Sequence, residues 1–249
     1  ETRRLSACIT NQGIYYVMDV MNWFNSLGLD YSSSENIVVN DRINSLSSTR
    51  TSVNISNVRV KGQADIVFIV DTTGSMGYCV DNVKDNINAF VDEITSAGIN
   101  SYFALVEYKD ILCDGKNSTN VKKSRNESNW FSTSNDFKEE IEKLGISGGG
   151  DEPESLIDAL EMARRLDMRK TSQKFFIVVT DAGFKIDNNY DIQSMDEMID
   201  LLIKEEINVS VVSNSLHKSK YDTLYKATNG VFADMYYCYP TPVFLPGES

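Results

Sequence analysis

The sequence predicts an α/β fold, a doubly wound and mostly parallel central sheet with helices on both faces, preceded by an amino-terminal extension. Two unbroken apolar runs, residues 66–70 and 174–180, are typical of strands that are buried on both faces. Segments with apolar residues at helical spacing separate these runs from further strand-like segments. Strands that alternate with helices imply parallel crossover connections, and therefore a sheet covered by helices on two sides.

The individual elements follow from periodicity and from glycine stops. Strands are predicted at residues 66–70, 102–108, 174–180, 208–212 and 231–233, with an edge strand inside 121–131. Helices are predicted at about residues 78–97, 136–144, 155–166, 195–206 and 218–228. The regular alternation starts at residue 65 and predicts one domain over residues 61–238.

Residues 1–60 form an extension of unclear fold, with a helix predicted at about 14–27 and short strand signals after it. Residues 239–249 carry three prolines and resemble a linker. The chain begins at Glu1, which we interpret as a trimmed or mature product, so the lack of a signal peptide does not argue for the cytoplasm. We expect the chain to be part of a larger multidomain protein.

Composition excludes several function classes. The 249 residues carry a formal net charge of −12, which argues against nucleic acid and anionic membranes as partners. Polar residues interrupt the apolar stretch at residues 14–29, so we expect no membrane insertion of this segment. No Gly-x-Gly-x-x-Gly or Walker sequence follows a strand, so nucleotide binding has no support.

Three polar side chains follow the first core strand. Asp71, Thr73 and Ser75 alternate in the loop between a strand's carboxyl end and a helix, where open α/β sheets place their ligand sites. Hard oxygen ligands of this kind suit Mg²⁺, Mn²⁺ or Ca²⁺. The alternative is helix capping, but capping needs only one such residue and this loop has three.

Two later segments carry related chemistry. Residues 148–154 read Gly-Gly-Gly-Asp-Glu-Pro-Glu, where glycines permit close backbone approach and acids repel one another unless a positive charge lies among them. The alternative is a flexible loop with an acidic first helical turn, which the helix dipole favours. Asp181 ends the second core strand, as Asp71 ends the first.

Asp71-Thr72-Thr73-Gly74-Ser75 resembles the Asp-x-Thr/Ser-x-Ser signature of the von Willebrand factor A family and of integrin I domains. Residues 151–154 are similar to the Asp-x-Pro-Glu segment of integrin β-subunit I domains, and the resemblance covers about residues 65–234. It implies a Rossmann-like fold with a metal-ion-dependent adhesion site. The implied direct ligands are Asp71, Thr73 and Ser75, with Glu154 as a further ligand, Asp181 acting through water and Asp151 serving an adjacent cation.

The function that the resemblance implies is adhesion. We expect a divalent cation, Mg²⁺ before Ca²⁺ or Mn²⁺, whose coordination is completed by an acidic residue of a protein partner outside the cell. One alternative is a metal-dependent hydrolase, but the single histidine, His217, is predicted at the start of a late helix, and no cysteine has a nucleophile's setting. Another alternative is an intracellular assembly factor, as in chelatase-associated members of the family.

Cysteines and sequons favour the extracellular alternative. The four cysteines permit two disulfides, which we expect to be Cys79–Cys113 on the metal-site face and Cys8–Cys238 between the two ends of the chain. Four free thiols in a reduced compartment are the alternative. Asn-x-Ser/Thr sequons occur at Asn54, Asn117, Asn126 and Asn208.

Overall fold

The computed structural model describes residues 63–150 and 152–235, which fold around one sheet of strand order β3-β2-β1-β4-β5-β6. The strands are β1 (Gln63–Asp71), β2 (Asn100–Tyr108), β3 (Asn120–Val121), β4 (Gln173–Val179), β5 (Ile207–Ser213) and β6 (Phe232–Asp234). All neighbouring strands pair in parallel except β3, which is antiparallel to β2 at one edge. The predicted fold class, a mostly parallel sheet with helices, is confirmed.

The helices are α1 (Val80–Ser96), α2 (Ser134–Glu142), α3 (Leu156–Arg164), α4 (Met195–Lys204) and α5 (Lys218–Ala227). Local chemistry explains where two of them begin. The Thr133 side chain accepts a hydrogen bond from the Asp136 backbone N–H at the start of α2. Ser194 does the same for Glu197 at the start of α4, so both helices are capped at their amino ends.

The sheet has an apolar core on each face because side chains alternate along β1. Ile66 and Phe68 face α1 and α2 on one side, and Val67 and Ile69 face the other three helices on the second side. The Phe68 and Phe137 rings lie 5.6 Å apart in the first core. The central strands are therefore held from both sides, and the loops at their carboxyl ends rest on a rigid base.

The predicted Cys79–Cys113 disulfide is wrong. Cys79 belongs to the core-facing side of α1, and its Sγ lies 3.7 Å from the Met235 Sδ and 3.9 Å from the Met76 Sδ. Cys113 is exposed in the turn after β2, and neither thiol is in a disulfide. The two thiols instead hydrogen-bond to different neighbours, Cys79 to the Met76 carbonyl at 3.4 Å and Cys113 to the Asp110 carboxylate.

Several predictions fall outside the described residues. These are the helix at 14–27 and the strand signals of the extension, the tail at 239–249, the Cys8–Cys238 disulfide, and the side chain of Asp151. The domain boundaries at 61 and 238 likewise stay predictions. Within residues 63–150 and 152–235, no helix has both the length and the apolarity that a membrane span requires.

Candidate metal site

The candidate site lies at the carboxyl edge of the sheet, above the two central strands. β1 and β4 run in parallel with Val70 opposite Val179, so Asp71 and Thr180 follow at adjacent positions. The Thr180 Oγ1 donates a hydrogen bond of 2.7 Å to the Asp71 Oδ2. Asp71 is completely buried, so its carboxylate lies beneath the loop that it starts.

Hydroxyl groups link Asp71 to Asp181. The Asp71 Oδ1 accepts hydrogen bonds from the Thr73 backbone N–H at 2.9 Å and from the Thr73 Oγ1 at 2.7 Å. The Ser75 Oγ donates to the Asp181 Oδ1 at 2.9 Å. The structure therefore joins four of the predicted site residues in one continuous arrangement, through a 3.1 Å contact between the Thr73 and Ser75 hydroxyl oxygens.

That hydroxyl contact is chemically informative. A hydroxyl group has one proton, and here Thr73 donates its proton to Asp71 while Ser75 donates its proton to Asp181. Either hydroxyl could also donate across the 3.1 Å contact between the two oxygens, and in every arrangement both oxygens keep lone pairs close together. Oxygen lone pairs that converge in this way suit a hard cation.

The glycine-rich loop closes against this arrangement. The Gly74 N–H donates to the Gly148 carbonyl at 2.9 Å, and the Ser147 N–H donates to the Thr72 carbonyl at 3.0 Å. Gly149 has a φ of +76°, and a Cβ at this position would lie 2.9 Å from the Thr73 Cβ. Only glycine permits both the backbone conformation and the close approach at this point.

Glu154 lies beside the same space. Its backbone is fixed by two hydrogen bonds, from its N–H to the Gly183 carbonyl and from the Lys185 N–H to its own carbonyl, both 3.0 Å. Its side chain is 4% exposed, and the Oε2 is buried without a hydrogen-bond partner. A buried polar atom left unpaired costs about 1–3 kcal/mol, and more when it carries charge, so this oxygen is a candidate cation ligand.

Burial perturbs the acidity of these carboxyl groups. It raises the pKa of Glu154 to about 8, and the negative charges of Asp71 and Asp110 contribute to the rise. Burial also raises the pKa of Asp71 to about 6, although hydrogen bonds from Thr180 and Thr73 oppose it. The pKa of Asp181 is raised as well, mainly by burial. A cation among these groups would favour their ionised forms, so the residues present fit a metal ion.

The donor set is one of mixed oxygens. In the described ranges, no group of three or more His, Cys, Asp and Glu side chains is placed to hold a metal ion. The candidate site instead combines separated carboxylates with the Thr73 and Ser75 hydroxyls, as the sequence predicts. Metal ligation by these residues stays a prediction.

The structure adds residues that the sequence reasoning missed. His217 does not lie apart from the site loops, because its Nε2 is 3.2 Å from the Glu152 Oε1 and its side chain is 15% exposed. The same Glu152 oxygen accepts a hydrogen bond from the Gly183 N–H at 3.1 Å. Sequence spacing could not reveal this pair, because Glu152 lies in the segment before α3 whereas His217 follows β5.

A buried ion pair involves Lys185, whose backbone N–H donates to the Glu154 carbonyl. Asp110 follows β2 and is completely buried, and its Oδ2 lies 2.5 Å from the Lys185 Nζ. Burial alone would raise the pKa of Asp110, but hydrogen bonds from Lys185, Cys113 and the Leu112 N–H outweigh it and lower the pKa to about 2. The pair ties the loop after β2 to the loop after β4.

Comparisons with known proteins bear on the fold and the family of this chain. No curated protein sequence matches the chain. Two similar solved structures are of proximal thread matrix protein 1 from the mussel byssus. One of these structures comes from a second crystal form of that protein, which is 22% identical to this chain and aligns with a TM-score of 0.51. The other has a zinc-occupied metal-ion-dependent adhesion site motif, with 23% identity and a TM-score of 0.54.

Each alignment covers 70% of this chain and 42% of the byssus protein, so the chain spans less than half of that protein's length. At this identity the likeness shows a shared fold. The family model of the von Willebrand factor A domain matches residues 65–236, which is more than half of the chain. The chain therefore belongs to the von Willebrand factor A domain family.

Proposed function

We propose that this domain is a cation-dependent protein-binding module whose site is the carboxyl edge above β1 and β4. Asp71, Thr73 and Ser75 would hold a divalent cation, with Glu154 as a further ligand and Asp181 acting through water. The observation that carries the proposal is the pair of hydroxyl oxygens, 3.1 Å apart, that connects the carboxylates of Asp71 and Asp181, beside a buried Glu154 oxygen with no hydrogen-bond partner.

The ligand chemistry favours a hard cation. All five groups offer oxygen, which Mg²⁺, Ca²⁺ and Mn²⁺ prefer, whereas zinc sites in proteins more often use nitrogen and sulfur. We propose Mg²⁺ as the physiological ion and include Zn²⁺ in the test, because the byssus protein holds zinc at its adhesion-site motif. When bound, the cation would supply an electrophilic centre that accepts a carboxylate oxygen from the partner.

The protein's own residues set the strength of that contact. Thr73 and Ser75 are neutral, so they neutralise none of the cation's charge, and Asp71 is completely buried. Asp114 fixes the glycine loop in turn, because its Oδ2 accepts a hydrogen bond of 2.8 Å from the Gly149 N–H. The hydrogen bond from Gly149 to Asp114 thereby fixes the position of the glycine-rich loop beside the site.

We further propose that the domain binds rather than catalyses. Glu152 is the one obvious spare general base in the sequence, and its Oε1 already accepts a hydrogen bond from the Gly183 N–H and lies 3.2 Å from the His217 Nε2. The proposal would fail if the purified protein hydrolysed phosphate esters or peptides in a metal-dependent manner. An intracellular assembly role is the other alternative, and localisation of the full-length protein tests it.

An extracellular location is part of the same proposal. Both similar structures are of a protein from the byssus, an extracellular thread. The sequon asparagines Asn117 and Asn126 are exposed in loops on either side of β3, whereas Asn208 lies within β5 and is half-buried. Expression through a secretory pathway followed by glycopeptide mapping would report modification at Asn117 and Asn126 and none at Asn208.

The decisive experiment is thermal unfolding with EDTA or with millimolar Mg²⁺, Mn²⁺, Ca²⁺ or Zn²⁺. A ligand that binds only the folded state must raise the melting temperature, and Asp71→Ala should abolish that rise. Asp65→Ala is the matched control, because Asp65 is equally buried at the opposite end of the same strand. It should lower stability but keep the cation-dependent rise. A rise that persists in Asp71→Ala, or its absence in the wild type, would contradict the proposal.

A further inference from the structure

Three sulfur atoms meet in the first core, near the turn that leads into α1. The Cys79 Sγ lies 3.9 Å from the Met76 Sδ and 3.7 Å from the Met235 Sδ. Met76 is 0% exposed, and Cys79 and Met235 are each 2% exposed, so the three side chains are shielded from water. We call these three residues the sulfur cluster. The function proposed above makes no use of it.

The fold brings these sulfurs together from distant parts of the chain. Met76 lies in the 3₁₀ turn Gly74–Tyr78, and Cys79 stands between that turn and α1. Met235 comes directly after β6, at the far end of the described residues. The Tyr78 hydroxyl lies 4.0 Å from the Met235 Sδ, and the Tyr78 side chain is exposed. The sulfur cluster is therefore separated from solvent by one surface side chain.

The distances between the sulfurs suit a shared ion. Methionine and cysteine often pack in apolar cores as hydrophobic side chains, but such packing does not require their sulfurs to face one another. Metal–sulfur bonds of about 2.3 Å that diverge by about 120° place their sulfurs about 4.0 Å apart. The two distances from the Cys79 Sγ, 3.7 and 3.9 Å, are close to this value. Small side-chain movements would therefore let the sulfurs bind one ion.

Softness and charge together select the ion. Thiolate and thioether ligands favour Cu(I), whereas Mg²⁺ and Ca²⁺ require oxygen ligands. A Cys79 thiolate and one Cu(I) ion together carry no net charge, so an apolar core can hold them. The same thiolate with Zn²⁺ would leave one positive charge buried in a core that is otherwise formed by side chains such as Val83 and Ile87.

We infer that the domain binds one Cu(I) ion through the Cys79, Met76 and Met235 sulfurs. Binding breaks the Cys79 S–H bond, forms a copper–sulfur bond and releases the proton to solvent, and copper keeps its oxidation state. The two thioethers donate lone pairs and release no proton. Rotation of the Tyr78 side chain gives the ion its path into the core. The site differs in ligand chemistry from the oxygen site that contains Ser75, so the two sites select different ions.

The test is anaerobic titration of the full chain with Cu(I) in competition with the chelator bicinchoninate. The substitutions Cys8→Ser, Cys113→Ser and Cys238→Ser are introduced together, so that Cys79 is the single thiol that remains. We expect one copper ion and one released proton per chain, with only sulfur next to copper in X-ray absorption spectra. Failure to withdraw copper from bicinchoninate, or copper bound to nitrogen or oxygen, would overturn the inference.

Conservative variants then identify the ligands. Met76→Leu and Met235→Leu each remove a thioether at nearly constant volume, so both variants should fold, which their melting temperatures check. Each should weaken Cu(I) binding by at least about tenfold, because even the loss of an outer-shell partner has an effect of that size. Met198→Leu is the matched control, since Met198 is equally buried but lies in the second core, and it should leave the affinity unchanged. Wild-type affinity in both Met76→Leu and Met235→Leu would refute the sulfur cluster as the site.

Discussion

Glu154→Gln should stabilise the domain in the absence of a cation and remove most of the stabilisation that a cation supplies. The Glu154 carboxyl group is buried, lies near Asp71 and has one oxygen without a partner, so its ionised form is unfavourable in the folded protein. Glutamine keeps the shape of the side chain and carries no charge. The variant therefore removes the electrostatic cost and the cation ligand at the same time.

The magnitude follows from the raised pKa. Folding moves the pKa of Glu154 from 4.5 to about 8, so the folded state holds a proton that the unfolded state releases. The free energy of unfolding must then fall as the pH rises from about 4.5 to about 8, because the unfolded state binds fewer protons over this range. At 1.36 kcal/mol per pKa unit, the loss at neutral pH is at most about 3 kcal/mol.

Urea unfolding in EDTA at several pH values between 5 and 8 measures this effect. Asp71 has a raised pKa of its own, so the relevant quantity is the difference between the wild-type and Glu154→Gln curves. The variant should gain stability relative to the wild type as the pH rises, and saturating Mg²⁺ should reverse the order. Parallel curves in EDTA, or a variant less stable than the wild type at neutral pH, would refute the reasoning.

Two further predictions concern residues that support the site. Gly149→Ala places a Cβ 2.9 Å from the Thr73 Cβ, so it should abolish the Mg²⁺-dependent rise in melting temperature. Gly98→Ala, at a similar φ of +72° but with nothing within 4 Å, should cost only backbone strain and keep that rise. Asp110→Asn should lower the free energy of unfolding at neutral pH by about 2 kcal/mol or more, since it removes the buried negative charge of the ion pair with Lys185. Because the pKa of Asp110 is lowered from 3.8 to about 2, the wild type should lose this advantage as the pH falls from about 4 to about 2. Urea titrations across that range measure it.

Much of this architecture was readable from the sequence for a physical reason. Strands buried on both faces need continuous apolar runs, and such runs are uncommon enough to identify β1 and β4. Their identification places Asp71 at the end of β1 and Asp181 just after β4. Parallel pairing then brings these ends together. The hydroxyl connection between the two aspartates is a consequence of that pairing and of the alternation at positions 71, 73 and 75.

What the sequence reasoning missed depends on contacts between distant loops. Glu152 and His217 are 65 positions apart, and their pairing depends on the packing of the segment before α3 against the loop after β4, where the Gly183 N–H donates to Glu152. The error at Cys79 was avoidable, because Cys79, Val83 and Ile87 recur at intervals of four along one helical stripe and all three are buried. Helical periodicity therefore placed the thiol in the core and away from any partner at the surface.

The two ends of β1 differ in how the charge of a buried aspartate is balanced. Both ends carry a buried aspartate. At the amino end, Asp65 is neutralised by the Arg169 guanidinium at 2.6 Å and accepts further hydrogen bonds from the Arg169 N–H and the Ser172 hydroxyl. At the carboxyl end, Asp71 receives hydrogen bonds only from neutral groups of Thr73 and Thr180. An arginine of the same chain therefore balances the charge of Asp65, whereas no cationic side chain in the described ranges donates to Asp71. Other carboxylates also lie at the Asp71 end, because the loops after parallel strands meet there. A mobile cation at the second end would serve the purpose that arginine serves at the first, with the difference that it can also be shared with a partner's carboxylate.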